Sequence, residues 1–280
     1  MKLKELPGSL LTGYRLARMP IETLHTVSGE CLPVIVTLTS IPSRLKTLHL
    51  TIRSLLAQRA KAQKVILWLN GELKGTLPDS LLALEGPLFE VRFAGMTCSH
   101  RKLVYSLDAF PGSILVTCDD DVMYDSQWLE LLYRDHLKHP EAIIAHECRR
   151  ITCDIGGKVL PYKQWPMEEN VDTTAPNMMP IGYGGVLYPP GCLFRDVCNA
   201  ELYLQLTPRA DDIWFKAMSF LQGTPVRRCS VPARKPLPIA GSQRISLKKT
   251  NVRRDGNREQ WEAVSSHYGI RCVDGVLCQS

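Results

Sequence analysis

The sequence predicts an α/β protein: an open, mostly parallel sheet flanked by helices, in a single domain with a basic C-terminal segment. Three observations predict it. Short apolar runs without alternation recur along the first half, the pattern of strands covered on both faces. Stretches of helical periodicity separate them. The last of these runs, Ile114, Leu115 and Val116, leads within three residues into Asp119, Asp120 and Asp121. Ligands of open α/β sheets gather at such carboxyl strand ends.

The elements follow in order. Residues 1–30 form an N-terminal extension with weak signals, broken by Pro7, Gly8, Gly13 and Pro20. Residues 34–39 read as the first buried strand. A turn follows, with Ser43 placed as the N-cap of a helix over 45–56, where Leu45, Leu48, Ile52, Leu55 and Leu56 share a face. A second strand, 64–69, closes at the turn pair Asn70 and Gly71. A short helix over 77–84 precedes an edge strand at 89–93. Residues 102–110 form another helix, and Pro111 and Gly112 lead into the strand at Ile114. This alternation implies right-handed parallel crossovers, so the first and fourth strands end at the same rim. A helix over 127–137 stops at His139 and Pro140, and a strand at 142–145 follows. Residues 154–191, rich in Gly, Pro, Asn and Met, lack periodicity and read as a long functional loop. A helix begins at Asp211 and Asp212, with Ile213, Trp214, Ala217 and Phe220 on one face.

Three adjacent carboxylates repel one another, so a fold that collects them usually supplies a cation. An all-oxygen set suits Mg²⁺ or Mn²⁺ held between a carboxylate or two and a substrate's phosphates. The competing reading of the same residues is a solvated acidic turn before a helix. Tyr183 and Tyr188 flank the paired glycines Gly184 and Gly185. Tyrosine rings can stack on a sugar face, and glycines permit close backbone approach or positive φ; a purely structural Gly-rich strand is the alternative. Capping needs one acid at a helix start, and here there are two, Asp211 and Asp212. One is free to act as a base or to orient an acceptor.

The net charge is +6 over 280 residues, unevenly spread. Residues 226–258 hold ten Lys or Arg against one acid, Asp255, which suits an anionic substrate or an anionic membrane surface. The ten cysteines form no Cys-x-x-Cys and no zinc-finger spacing. The loose pairs Cys148/Cys153, Cys192/Cys198 and Cys272/Cys278 are expected as reduced thiols, with a disulfide or zinc site at Cys272/Cys278 the alternative. No membrane span and no secretory signal is evident, so the expected location is cytoplasmic, with peripheral contact at the inner membrane face through the basic segment. Nucleic-acid binding is disfavoured because the acids at 119–121 would repel phosphates. No phosphate-binding glycine motif or nucleophile elbow occurs.

Three stretches together resemble nucleotide-sugar glycosyltransferases of the GT-A fold, of the family 2 type that builds bacterial surface polysaccharide. Residues 34–56 resemble the family's first strand and helix. Residues 117–124 resemble its Asp-x-Asp segment. Residues 184–191 with 210–214 resemble its acceptor loop and the acidic motif beyond. The resemblance spans about residues 31–225, divided into a nucleotide-sugar half (31–121) and an acceptor half (122–225), with 226–280 packing on or near the active site. It implies Mn²⁺ or Mg²⁺ at Asp121 and Asp119, with Asp120 assisting. It implies nucleotide-sugar contacts from Thr37, Thr39, Arg44, Lys102, Asp119 and Asp120. Tyr183, Gly184, Gly185 and Tyr188 fall on the acceptor side, facing a saccharide or glycolipid. Asp212, or else Asp211, takes the acceptor proton, and the pair favours inversion. Arg227, Arg228, Lys248, Lys249, Arg253 and Arg254 would meet the diphosphate or a membrane. The implied activity is metal-dependent transfer of a hexosyl or related sugar. Departures are the Asp-Asp pair in place of Glu-Asp, and Cys118. Rival readings are another Mg²⁺-dependent nucleotidyl or phosphoryl transferase, and a non-catalytic binding module.

Overall fold

The computed structural model describes residues 5–27, 29–242, 254–273 and 276–279. The chain opens with two helices, α1 (Leu6–Arg18) and α2 (Ile21–His25), then β1 (Cys31–Thr39), α3 (Leu45–Leu56), β2 (Lys61–Asn70), α4 (Asp79–Leu82), β3 (Phe89–Ala94), α5 (Arg101–Ala109) and β4 (Ile114–Thr117). After the acids come β5 (Val122–Met123), α6 (Trp128–Lys138), β6 (Ile143–Ala145), β7 (Cys148–Arg150), β8 (Met178–Pro180) and β9 (Val186–Tyr188). The chain continues through α7 (Ala200–Leu206), α8 (Asp211–Leu221), β10 (Val226–Arg228), β11 (Leu237–Pro238), α9 (Gly256–Tyr268), β12 (Ile270–Val273) and β13 (Val276–Gln279).

Seven strands form one sheet in the order β10-β6-β9-β4-β1-β2-β3. Pairing is parallel throughout except at β9, which runs antiparallel to both β4 and β6. The expected open, mostly parallel sheet is therefore present, and β3 is its edge. Thr37 pairs with Thr117 across β1 and β4, so both strands end at one rim. Burial on both faces explains the unbroken apolar runs. Val34, Val36 and Leu38 pack with Leu48 and Ile52 of α3 and Leu129 and Leu132 of α6. Ile35, Leu115 and Val186 pack on the other face with Leu103 of α5, and with Ile213 and Trp214 of α8.

Several expectations are corrected. The loop at 154–191 contains β8 and β9, and β9 is an inner strand of the sheet. Ser43 does not cap α3. A 3₁₀ turn (Pro42–Arg44) leads into the helix, and Arg44 stands at the N-cap without a side-chain cap bond. The N-terminal extension carries more structure than its weak signals implied: α1 packs on α3, and Arg53 donates to the Leu16 and Met19 carbonyls. A boundary at 226 cuts through the sheet, since β10 pairs with β6. The cysteine pairing also differs: Cys153 is bonded to Cys272, across 119 residues, and Cys278 is free. That bond ties the loop after β7 to the β12–β13 hairpin. Among the described residues no helix is long and apolar enough to cross a membrane.

Candidate active site

The rim formed by β1 and β4 carries the acids. Each of Asp119, Asp120 and Asp121 has a different environment, fixed by a different neighbour. Asp120 is 4% exposed. Ser40 and Arg44 both donate to its carboxylate, and Thr51 Oγ1 donates to its main-chain oxygen at 3.0 Å. It clamps the β1–α3 turn to the acid turn. Arg44 also reaches Asp121, Nη2 to Oδ2 at 3.2 Å. Asp119 has the most open side chain of the three, 35% exposed, and faces Lys102 Nζ at 3.1 Å.

Lys102 joins the two acidic motifs. It lies in the first turn of α5, where Thr37 Oγ1 donates to its main-chain oxygen at 2.5 Å. Its side chain is 6% exposed, and its ammonium sits 2.8 Å from Asp211 Oδ2 as well as beside Asp119. Burial alone would lower its pKa, but Asp119, Asp211 and Asp212 raise it well above the ordinary lysine value, so the cation persists at neutral pH. Asp212 is next to this pair and accepts from the Gly182 N–H at 3.2 and 3.1 Å. A Cβ on Gly182 would fall 2.7 Å from Asp212 Oδ1 and 3.0 Å from Lys102 Nζ. Only glycine lets that loop approach so closely.

The two adjacent carboxylates of α8 titrate apart. Asp211 is buried, which works against its charge, but Lys102 and then His100 hold it below the ordinary value. Asp212 is pushed up to about 7, first by burial, then by the charge of Asp211 and by Asp119. Asp121 likewise rises to about 7, through burial and its neighbours Asp119 and Asp120, against the pull of Arg44. Opposed shifts in paired groups mark acid and base assignments in enzyme sites.

Further residues complete the frame, and no motif marks them in the sequence. Arg101 ties the rim together, donating to Thr39 Oγ1 at 2.7 Å, the Met96 carbonyl at 2.7 Å and the Ser40 carbonyl at 2.9 Å. The Tyr124 hydroxyl accepts from the Asp119 N–H at 2.8 Å and donates to the Tyr183 carbonyl at 3.1 Å. It pins the acid turn to the glycine loop. The Tyr183 ring is half-buried, and its hydroxyl is pushed up to about 12 by burial and by Glu147. The segment after β10 returns to the acids: β11 pairs with β5, and Ile239 N–H donates to the Asp121 carbonyl at 3.0 Å.

Four expected contacts are closed to any ligand. Thr37 is fully buried and spends its hydroxyl on Lys102 and Ser106. Tyr188 is 2% exposed and edge-on to Phe215 in the core. The space opposite Gly184 is filled by Glu147, and that opposite Gly185 by the Trp128 indole. Trp128 Nε1 also donates to the Gly184 carbonyl at 2.7 Å. These glycines serve packing. Thr39, on the rim, donates to the Trp68 carbonyl at 2.9 Å. Arg227 and Arg228 are committed elsewhere, to Asp172 and to the Glu169 carbonyl. Lys248, Lys249 and Arg253 lie outside the described residues, and Arg254 is exposed.

Among the described residues no three His, Cys, Asp or Glu side chains gather as a closed metal cage. Asp119 and Asp121 offer a partial, all-oxygen set, and burial together with neighbouring carboxylates pushes Asp121 and Asp212 up to about 7. Mg²⁺ and Mn²⁺ accept such a set when substrate phosphates and water complete the shell, so the donors fit the ion as a shared site.

No family model matches the chain, and no curated protein matches its sequence. Solved structures share its chain path at low identity. Residues 1–349 of S. aureus TarS align with 74% of this chain at a TM-score of 0.46 and 14% identity. The match spans only 59% of that TarS chain. A 4-diphosphocytidyl-2C-methyl-D-erythritol synthase from Anaerococcus prevotii aligns with 82% of this chain and 96% of its own, at 0.46 and 13%. A CMP:2-keto-3-deoxy-manno-octonic acid synthetase complexed with CTP aligns with 74% and 93%, at 0.40 and 12%. At these scores no chemistry is carried over from them.

Proposed function

We propose that this chain is a nucleotide-dependent transferase of the GT-A type, moving a sugar from a nucleoside-diphosphate donor to a hydroxyl of a saccharide or glycolipid. The observation that carries the reading is the Lys102 bridge, 3.1 Å from Asp119 and 2.8 Å from Asp211. It brings a donor-side acid and an acceptor-side acid to one point, although they lie far apart in sequence.

The roles follow from the environments. Asp119 and Asp121 would hold Mn²⁺ or Mg²⁺, which when bound neutralises charge on the diphosphate as it leaves. Arg44 and Lys102 are fixed cations at the same rim, and they cost no reorganisation during the reaction. Asp212 serves as the base. As the acceptor oxygen bonds to the sugar's anomeric carbon and the bond from that carbon to the diphosphate breaks, its carboxylate takes the hydroxyl proton. Asp211, held ionised by Lys102, keeps Lys102 in place and takes no proton. One base opposite a leaving group supports inversion, and cell-surface polysaccharide or lipopolysaccharide synthesis is the setting such a transfer would serve.

The test is product analysis on two panels, nucleotide sugars with simple glycosides and nucleoside triphosphates with simple sugar phosphates, each with Mn²⁺. Release of a nucleoside diphosphate with formation of a new glycoside supports the reading. Release of pyrophosphate from a nucleoside triphosphate would instead make the protein a nucleotidyltransferase, and no turnover of either kind would make it a binding module.

A pH profile checks the base. A carboxyl titrating near 7 is deprotonated above that point, so kcat/KM should rise through about pH 7 and level off. Asp212→Asn should lower kcat by about 10²- to 10⁴-fold and remove that limb. The stability sign is opposite. Because the folded pKa is raised above the unfolded one, ionising Asp212 costs stability as pH climbs from the unfolded value through 7. Asp212→Asn should therefore unfold no more easily than the parent at alkaline pH. A variant with the parent's rate and limb would remove Asp212 from the chemistry.

A further inference from the structure

Helix α1 buries Ser9, Gly13 and Leu16 and presents its other face outward. On that face Leu10 is 56% exposed, Leu11 61% and Tyr14 55%. Arg15 and Arg18 are exposed beside them, and the Arg18 guanidinium lies 4.6 Å from the centre of the Tyr14 ring. The first turn of α1 carries no acid. Among the described residues the other large exposed apolar side chains stand singly, or as Val273 and Val276 of the terminal hairpin. Apolar side chains gathered on one helical turn and rimmed by basic ones mark a contact surface.

We propose that the outward face of α1 docks on an anionic lipid bilayer, with Leu10, Leu11 and Tyr14 entering the headgroup boundary and Arg15 and Arg18 meeting lipid phosphates. Leucine and tyrosine beside arginine are the composition of interfacial helices. The charge selects among occupants. A second copy packed on this face about a two-fold axis would gather four arginines with no acid of α1 among them, whereas an anionic surface pairs with both. The position also favours a membrane. The buried side of α1 rests on β11, where Ser9 Oγ donates to the Pro238 carbonyl at 2.7 Å. One residue on, Ile239 N–H bonds the Asp121 carbonyl. A bilayer on the outward face is therefore separated from the strand bonded to the acid turn by the thickness of one helix.

Docking does not depend on sugar transfer, because vesicle binding is read without turnover. The full chain is floated with vesicles of phosphatidylcholine alone and of phosphatidylcholine with phosphatidylglycerol. It should float with the anionic vesicles and stay behind with the neutral ones. Arg15→Gln with Arg18→Gln should weaken binding at low salt by about fivefold for each charge, and the difference should shrink at high salt. Leu10→Gln with Leu11→Gln and Tyr14→Gln should weaken it by about tenfold or more at any salt. These side chains are exposed, so melting temperatures should match the parent. If the triple variant melts lower, Leu11→Gln alone is used and should still weaken binding. Failure of the parent to bind anionic vesicles overturns the proposal, as does unchanged binding by both variants, which would place the contact on the basic C-terminal run. A dimer in sedimentation velocity that the triple variant abolishes, without vesicle binding by the parent, would make a second copy the occupant and overturn it too.

Discussion

Replacing Lys102 with methionine should cost more stability than any other single change at the rim, and turnover as well. Its side chain is 6% exposed and lies within ion-pair distance of Asp119 and Asp211. Removing one partner of a buried ion pair leaves an uncompensated charge, which costs about 3–5 kcal/mol. Methionine nearly matches the lost volume, so packing adds little. The penalty should depend on pH with a defined sign. In the parent, Asp211 has a lowered pKa, so its stabilisation is present above the unfolded carboxyl pKa and is lost only as pH falls through the lower folded value. In Lys102→Met, burial acts on Asp211 without its main counter-charge, and the carboxyl protonates on mild acidification. Denaturant titrations of parent and variant should differ most near pH 8 and converge toward about pH 5. kcat/KM should fall by about 10²-fold or more, the loss typical of removing one preorganised donor. Equal stability at all pH values would show that Lys102 does not join the two acidic motifs.

Gly185→Ala should be the most damaging small substitution in the glycine loop. Gly185 has φ +101, and a Cβ there would fall 2.6 Å from Trp128 Cε2. Trp128 is fully buried, with its ring centroid 4.5 Å from that of Tyr124, and it cannot move aside without disturbing the Tyr124 bonds to Asp119 and Tyr183. Backbone strain and overpacking together cost about 3 kcal/mol or more, which lowers Tm by roughly 6 °C in a domain of this size. Gly191 supplies the control. It also has positive φ, at +72, but nothing stands within 4 Å of its would-be Cβ. Gly191→Ala should cost only the conformational penalty of about 1 kcal/mol. Equal losses at the two positions would mean that Trp128 contributes nothing to the requirement for glycine at 185.

The parts of this fold that could be read from sequence are those where burial leaves a pattern. β1, β2 and β4 are covered on both faces, so Val34, Val36, Val65, Leu67 and Val116 sit in unbroken apolar runs. Strand β9 is just as central, but it is three residues long and enclosed by glycine and proline, so its pairing with β4 and β6 left no local trace. Helix α1 was hidden by apparent breakers. Pro7 stands in its first turn, where no N–H is needed, and Gly13 lies on its buried side, where a Cβ would meet Leu50 at an ordinary contact distance of 3.5 Å. Cys153 and Cys272 are brought together by the packing of the C-terminal hairpin, which sequence spacing does not encode. The acids at 119–121 and 211–212 were legible as motifs, because clustered charge has no structural use unless something answers it. That the answer begins with Lys102 was not, since a lysine at a helix start is ordinarily solvated. The same limit applies to Thr37 and Tyr188, whose residue types suit ligand contact but whose side chains are spent inside the core.

On the proposed reading, Asp119, Asp121, Lys102 and the Asp211–Asp212 pair form one centre that binds a diphosphate through a shared divalent ion. Calorimetric titration of nucleoside diphosphates into the protein, with and without Mn²⁺, tests it most directly. One nucleoside diphosphate should bind about tenfold or more tightly with the metal present, and Asp119→Asn should abolish that gain while leaving metal-free binding unchanged. Binding that ignores the metal, or a gain that survives in Asp119→Asn, would contradict the account.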